Sequence, residues 1–343
     1  MVSAARRSSG ATMHDVAQVA GVSVKTVSNV INGYPHIRPA TKQRVEEAID
    51  QLGYRVNITA RSLRQGRTGM IGLAVPELSL PYFAELAETI IRVAEETGTL
   101  VLIEQTNANR AREIEALGSR MRHLTDGLIF SPLALGQEDV DLFAVDFPLV
   151  LLGERVFGGP ADHVTMDNVA AARAATEHLI ARGRRRIAVI GAHPGERVGT
   201  AALRVRGYRE AMAAAGIPVD ERLVAEAGAW HRSTGDAAMT ALLDLGVEID
   251  AVFGLNDAVA LGAMHALRLR GLRVPEDVAV IGFDDIEEAA YSAPTLTSVA
   301  PGLEQIARTA VAYLRERIDG TAPDGARQMV TDFSIVTRQS TAG

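Results

Sequence analysis

Seven short, continuous apolar runs recur from residue 70 onward, at 71–75, 100–103, 127–130, 149–152, 187–190, 251–253 and 278–281, each separated from the next by a helix-length stretch. Strands that are apolar along their whole length are buried on both faces, which happens where helices cover both sides of a parallel sheet. The body of the chain therefore reads as α/β of the doubly wound kind. Residues 70–343 exceed what one such sheet ordinarily holds, so two sheets are expected, with a break near Asp167 and Asn168.

Composition excludes several functional classes. The 343 residues include no cysteine, which removes disulfide frameworks, Cys-type zinc or iron–sulfur sites and thiol nucleophiles. No apolar run approaches the roughly 18 residues of a membrane-spanning helix. Arg6 and Arg7 are followed by Ser8, Ser9 and Gly10, where a secretory signal carries an apolar stretch. The expectation is a cytoplasmic protein with no membrane association and a flexible arm over residues 1–11.

Charge divides the chain. Its net value is −7, yet residues 1–69 hold ten Lys and Arg against four Asp and Glu, a balance of +6 that leaves −13 on the remainder. A basic head on an acidic body suits a phosphate-binding module whose body does not stick to the polymer. In the head, Met13, Val16, Ala17 and Ala20 recur at helical spacing. Gly21, Val22 and Ser23 interrupt them, and Val24, Val27, Val30 and Ile31 begin a second stripe. Gly21 supplies a left-handed stop and Ser23 a cap for the second helix. A third helix over 39–52 opens on Pro39, buries Val45, Ile49 and Leu52, and ends at Gly53. This pattern suits a helix-turn-helix; a three-helix bundle for protein contacts is the other reading.

The stretch "DVAQVAGVSVKTVSNVIN", within residues 11–72, resembles the DNA-binding headpiece of the LacI/GalR family of bacterial transcription regulators. The resemblance implies that the second helix enters the major groove. Val24, Lys25 and Asn29 would then stand at base edges, Thr26 and Ser28 nearer phosphates, and Thr12 on the same DNA side. Lys25 suits guanine, Asn29 adenine and Val24 a thymine methyl. Residues 57–63 resemble the family's hinge helix, with Asn57 on the DNA, Ala60 letting two hinges approach and Leu63 wedged into the minor groove of a palindrome. Such a short helix is marginal alone and folds when dimer and DNA support it. Val56 stands where the family usually has proline, and Arg38 replaces the usual Ser-type cap.

The body continues the resemblance, which implies a two-lobed, type I periplasmic-binding-protein-like core behind a small all-α helix-turn-helix domain. The expected organisation is a headpiece at 12–56, a hinge and linker at 57–69, one lobe at 70–166 plus about 303–327, and a second at 167–300 plus about 328–340. Open α/β sheets bind ligands beyond the carboxyl ends of their strands. Those ends carry residues 76–80, Asp167, His193, Asn256, Asp257, Asp284 and Asp285, a set suited to a hydroxyl-rich ligand. Helix capping is an equal alternative for Asp257 and Asp285. The family pattern turns Pro76, Leu80, Tyr82 and Phe83 of "PELSLPYF" toward the cleft and makes Arg204 the main orienting donor. It adds Asn256, Asp284 and the stacking face of Trp230, and lets the loop 195–200, with Thr200, close on the ligand. Tyr82 and Phe83 read equally as core, and Arg204 as a salt bridge between lobes.

Catalysis is not expected. No G-x-S-x-G, H-E-x-x-H or P-loop pattern occurs, the eight histidines lack metal-ligand spacing, and "GAHPGERVG" lacks dinucleotide-binding glycines. Neither metal nor cofactor is implied. The reading is a homodimeric repressor that binds a palindromic operator DNA under control of a small effector, a saccharide. The alternatives are an exported solute-binding sensor without a DNA role, a regulator answering to a nucleobase or other metabolite, and, third, a dehydrogenase. No leucine-heptad tail ties dimers into tetramers.

Overall fold

A computed structural model describes residues 11–31, 34–54, 67–196 and 198–342. It divides into two compact units, residues 1–68 and 69–343. In the first, α1 (Met13–Ala20), α2 (Val24–Ile31) and α3 (Pro39–Leu52) enclose a small core of Val16, Ala17, Ala20, Val27, Val30, Val45, Ala48 and Tyr54. Gly21 closes α1 at φ 64°, and the Ser23 hydroxyl accepts from the Thr26 amide at 3.1 Å. Pro39 opens α3 and Gly53 ends it, but Arg38 makes no side-chain cap. Ala48 occupies the buried place on α3, while Ile49 and Leu52 are only partly covered. The hinge residues Asn57, Ala60 and Leu63, with Val56 and the arm 1–10, lie outside the described residues.

The second unit is built as two lobes. The first contains β1 (Met70–Val75), α4 (Pro81–Glu95), β2 (Leu100–Gln105), α5 (Arg110–Leu117), α6 (Ser119–Leu124), β3 (Leu128–Phe130), β4 (Leu149–Leu152) and β5 (Asp162–Met166). The chain then crosses into α7 (Asn168–Ala181), β6 (Ile187–Ala192), α8 (Thr200–Ala214), β7 (Val224–Glu226), α9 (Arg232–Asp244), β8 (Ala251–Gly254), α10 (Asp257–Leu269), β9 (Ala279–Phe283), α11 (Glu287–Tyr291) and β10 (Thr297–Ala300). It returns to the first lobe as α12 (Leu303–Asp319) and β11 (Gln328–Thr331), and ends in the second with β12 (Ser334–Val336). The strand orders are β11-β5-β4-β3-β1-β2 and β12-β10-β9-β8-β6-β7, with every pair parallel except β10 with β12.

All seven apolar runs are strands, and the chain first crosses between the lobes at Asp167. The last crossing does not fall at 327/328. β11 pairs with β5 from Gln328 to Thr331, so residues 328–331 belong to the first lobe and the chain crosses at Asp332 and Phe333. Five strands carry no apolar run. β5 is buried along its whole length but reads Asp-His-Val-Thr-Met, and its polar start is possible because Asp162 is matched by two guanidinium groups. Arg317 and Arg327 each bond its carboxylate, at 2.7–2.9 Å, and the Arg327 amide adds a third donor at 2.8 Å. Burial alone raises the Asp162 pKa; these donors outweigh it and hold it at about 2.

In the second lobe the helices approach closely on glycine. A Cβ at Gly207 of α8 stands 2.3 Å from the Val169 carbonyl oxygen of α7, and one at Gly262 of α10 stands 2.0 Å from the Arg232 carbonyl oxygen of α9. Among the described residues, no helix is long and apolar enough to cross a membrane.

Candidate functional site

Between the two lobes, at the carboxyl ends of both sets of strands, lies a cavity of about 460 Å³. Pro76, Leu80, Tyr82 and Phe83 line it from the loop after β1 and the start of α4. Thr200, Arg204, Trp230, Asn256 and Asp284 line it from the second lobe, so the geometry gathers all nine expected residues around one space.

Arg204 is 5% exposed and fixed inside its own lobe. Its Nε donates to Asn168 Oδ1 at 2.8 Å, one terminal nitrogen donates to the Leu255 carbonyl, and the other lies 3.6 Å from Asp284. The guanidinium sits 3.4 Å from the Phe283 ring centroid and 5.6 Å from that of Trp230. It is therefore not a bridge between lobes. Phe283 is fully buried beneath Arg204 and so presents no face to the cavity.

Asp284 is held in the left-handed region at φ 105°, a strained state for a non-glycine residue that clusters at binding sites. Burial raises its pKa, Arg204 opposes this, and the carboxylates of Glu154 and Glu85 add to it, leaving Asp284 pushed up to about 7. Asn256 caps α10 by accepting from the Val259 amide at 2.8 Å and donates to the Trp230 carbonyl at 3.1 Å. Trp230 is anchored by its own indole N–H on Gly191, at 2.9 Å. Tyr82 and Phe83 meet edge to face at 5.1 Å, packed on the core of the first lobe and lining the cavity at once.

The remaining strand-end acids are structural. Asp167 caps α7 through the Ala170 amide at 2.9 Å. Asp257 is fully buried, taking the Ser298 hydroxyl at 2.6 Å and the Ile286 amide at 3.0 Å. Asp285 pairs with Arg338 at 2.6 Å.

Several cleft residues escaped the sequence reading. Glu154 and Arg155 follow β4, where the strand-end rule applied to 149–152 finds them. Thr200 donates to Glu154 across the cleft at 2.7 Å, Arg155 meets Glu196 at 3.3 Å and donates to the Val198 carbonyl at 3.1 Å, and His231 lies 3.3 Å from Glu77. The Glu287 amide donates to Glu85 at 2.8 Å. These contacts join the lobes around the cavity. Asn107 and Ala108 line it at φ 57° and 48°, and the buried Glu113 carboxylate accepts from the amides of Leu133, Ala134 and Leu135, shaping another lining loop. No local sequence signal marks Glu113, because its partners lie about twenty residues away.

In the head, Lys25 is exposed, and Val24, Thr26, Ser28 and Asn29 share the partly exposed surface of α2. Thr12 caps α1: its hydroxyl accepts from the Asp15 amide at 3.3 Å while Asp15 accepts from the Thr12 amide at 2.8 Å. The Thr26 hydroxyl lies 2.9 Å from that of Ser23. Among the described residues, no group of three or more His, Asp or Glu is placed to hold a metal ion.

Residues 12–57 match the model of bacterial regulatory proteins of the lacI family, and residues 176–341 match that of a periplasmic binding protein-like domain. A solved protein from Sanguibacter keddieii DSM 10542, described as a transcriptional regulator of LacI family, is 52% identical, with a TM-score of 0.75 over 81% of this chain and 100% of that one. A complex of the transcriptional regulator CelR with cellobiose is 33% identical, with a TM-score of 0.70 over 96% and 99%. The lac repressor dimer bound to operator and the anti-inducer ONPF is 27% identical, with a TM-score of 0.83 over 97% and 100%.

Proposed function

The chain belongs to the LacI/GalR family of DNA-binding transcription regulators, and from that premise we propose that it is a homodimeric repressor whose operator affinity is set by a neutral saccharide held between its lobes. The observation that carries the reading is the convergence of Arg204, Asn256, Asp284 and Trp230 on one cavity faced by Tyr82 and Phe83. A fork of donors, an amide, a carboxylate and aromatic faces are the groups that bind vicinal hydroxyls and the apolar face of a sugar ring. The cellobiose bound by CelR supports the ligand class, and the operator-bound lac repressor dimer supports twofold DNA binding. Val24, Lys25, Thr26, Ser28 and Asn29 would read each half-site, with Thr12 setting the start of α1 and Asn57, Ala60 and Leu63 forming the hinge contact. Ligand and operator affinities are then reciprocally coupled through lobe closure.

The test is calorimetry with a panel of mono- and disaccharides, followed by operator binding with and without the hit. Binding of a saccharide that changes operator affinity is the expected result. A panel in which only nucleobases bind removes the sugar assignment, and a hit that leaves operator affinity unchanged removes the coupling. Leu63→Ser tests the hinge: specific binding drops about tenfold or more as the wedge is lost, while saccharide affinity stays constant. Parent-like operator binding by Leu63→Ser refutes the wedge.

Saccharide binding also depends on pH through Asp284. A hydroxyl donating to its carboxylate favours the ionised form, so affinity is fully present above the raised pKa of about 7 and is lost as pH falls through it. One linked proton makes the loss about tenfold between pH 8 and 6, and Asp284→Asn flattens the profile. An acid-side profile that is unchanged in Asp284→Asn excludes the contact.

A further inference from the structure

His193 stands at the end of β6 and lines the cavity. Its Nδ1 lies 3.0 Å from Glu196 Oε2 and its Nε2 lies 2.7 Å from the Gly228 carbonyl oxygen. Both partners only accept, so the ring satisfies both only when each nitrogen carries a proton. Glu196 gives its other oxygen to Arg155 of the opposite lobe, at 3.3 Å. This carboxylate is only 13% exposed and is shared between a cation from each lobe. Gly199 leaves the room: a Cβ there stands 1.6 Å from Glu196 Oε1 and 2.7 Å from Arg155 Nη1. Two residues beyond Gly228, the Trp230 ring lies 5.6 Å from the His193 ring.

We propose that His193, as the imidazolium, is a positioning residue of the cleft: it clamps the loop after β6, through Glu196, to the turn after β7, through Gly228, and so holds Trp230 against the cavity. A neutral ring keeps Nδ1–H on Glu196, because a lone pair facing a carboxylate costs more than one facing a carbonyl. The Nε2 lone pair then opposes the Gly228 oxygen at 2.7 Å, and the turn is released. Among the described residues, the charged groups facing His193 are Glu196 from its own loop and Arg155 from the loop after β4; the turn after β7 contributes the Gly228 carbonyl and the Trp230 ring. The bond to Glu196 outweighs burial, the carbonyl adds to it, and Arg155 opposes it, which keeps the proton on above histidine's ordinary range. The effect on saccharide affinity rests on the cleft reading above, whereas the clamp itself does not.

Trp230 is the only tryptophan in the chain, so emission excited at the red edge, where the six tyrosines do not absorb, reports on this turn alone. Emission and acrylamide quenching are followed from about pH 5.5 to 9, spanning histidine titration. The expected result is a transition centred above about 6.5, with Trp230 more quenchable on its alkaline side, that persists in Asp284→Asn, which removes the carboxyl titrating at about 7 beside Arg204. Glu196→Gln moves the midpoint down by about one pH unit. His193→Gln removes the transition and leaves Trp230 quenchable at every pH, with circular dichroism confirming the fold. A flat profile, a midpoint unmoved in Glu196→Gln, or an emission change with constant quenching, which is ring proximity without release, each overturns the clamp.

Discussion

Raising salt from about 50 to 200 mM is expected to weaken operator binding by about four powers of ten. The head carries +6 within residues 1–69, and the proposed dimer would bring two of them to one duplex. If the pair neutralises about eight phosphates, log K falls against log salt with a slope near −7, and a fourfold rise in salt multiplies to about 10⁴. The acidic body, at −13, disfavours wrapping of further DNA, so the slope is expected to count head contacts. Substitutions separate the two kinds of contact. Lys25→Ala and Asn29→Ala, on the face of α2, relax base preference within each half-site by about 1–3 kcal/mol per contact. Lys42→Ala, on exposed α3, where Lys42 stands 3.7 Å from Glu46, leaves base preference unchanged. The measurement is operator affinity at four or more salt concentrations against selected and random duplexes. A slope flatter than about −3, or equal affinity for both duplexes, refutes specific binding by the head.

The sequence exposed the elements that announce themselves locally. α3 runs from Pro39 to Leu52 because proline fixes its first turn and Gly53 its last, and both signals sit in the element itself. The same holds for the seven apolar strands. It fails for β5, whose Asp162 is buried only because Arg317 and Arg327 arrive from elements more than 150 residues later, and for β11, an edge strand with alternating exposure. Cleft residues followed the same division. Arg204, Asn256 and Asp284 lie in motifs that carry the family resemblance, whereas Glu113, Glu154 and Arg155 act through partners that only the folded chain supplies. Asp257 and Asp284 show the limit of residue type. Both follow strand ends, yet Ser298 and Ile286 occupy one, while the other faces the cavity beside Arg204.

Arg204→Ala is expected to weaken saccharide binding by about 30- to 150-fold, the equivalent of about 2–3 kcal/mol. The guanidinium is 5% exposed and places one nitrogen on Asn168, one on Leu255 and one toward Asp284. Truncation leaves three of the protein's own acceptors without a donor, which lowers stability with or without ligand, and it takes from the cavity the remaining guanidinium N–H groups that would meet saccharide oxygens, which is what lowers affinity. It also removes the cation that opposes burial at Asp284, so that carboxyl stays protonated to higher pH and the acid-side loss of affinity moves upward. Arg204→Lys keeps a charge near Asp284 without the planar fork and falls between the two. Every direct partner of Arg204 lies in the second lobe and none in the head. A ligand shifts an equilibrium only by its differential affinity for the two states, so losing that affinity blunts control of the operator and leaves operator binding without saccharide at its original strength. Paired titrations, calorimetry with the saccharide and operator binding with and without it, decide the matter. Unchanged saccharide affinity in Arg204→Ala moves the ligand out of this cleft, and weakened operator binding in the absence of saccharide shows that Arg204 supports the DNA-bound state itself.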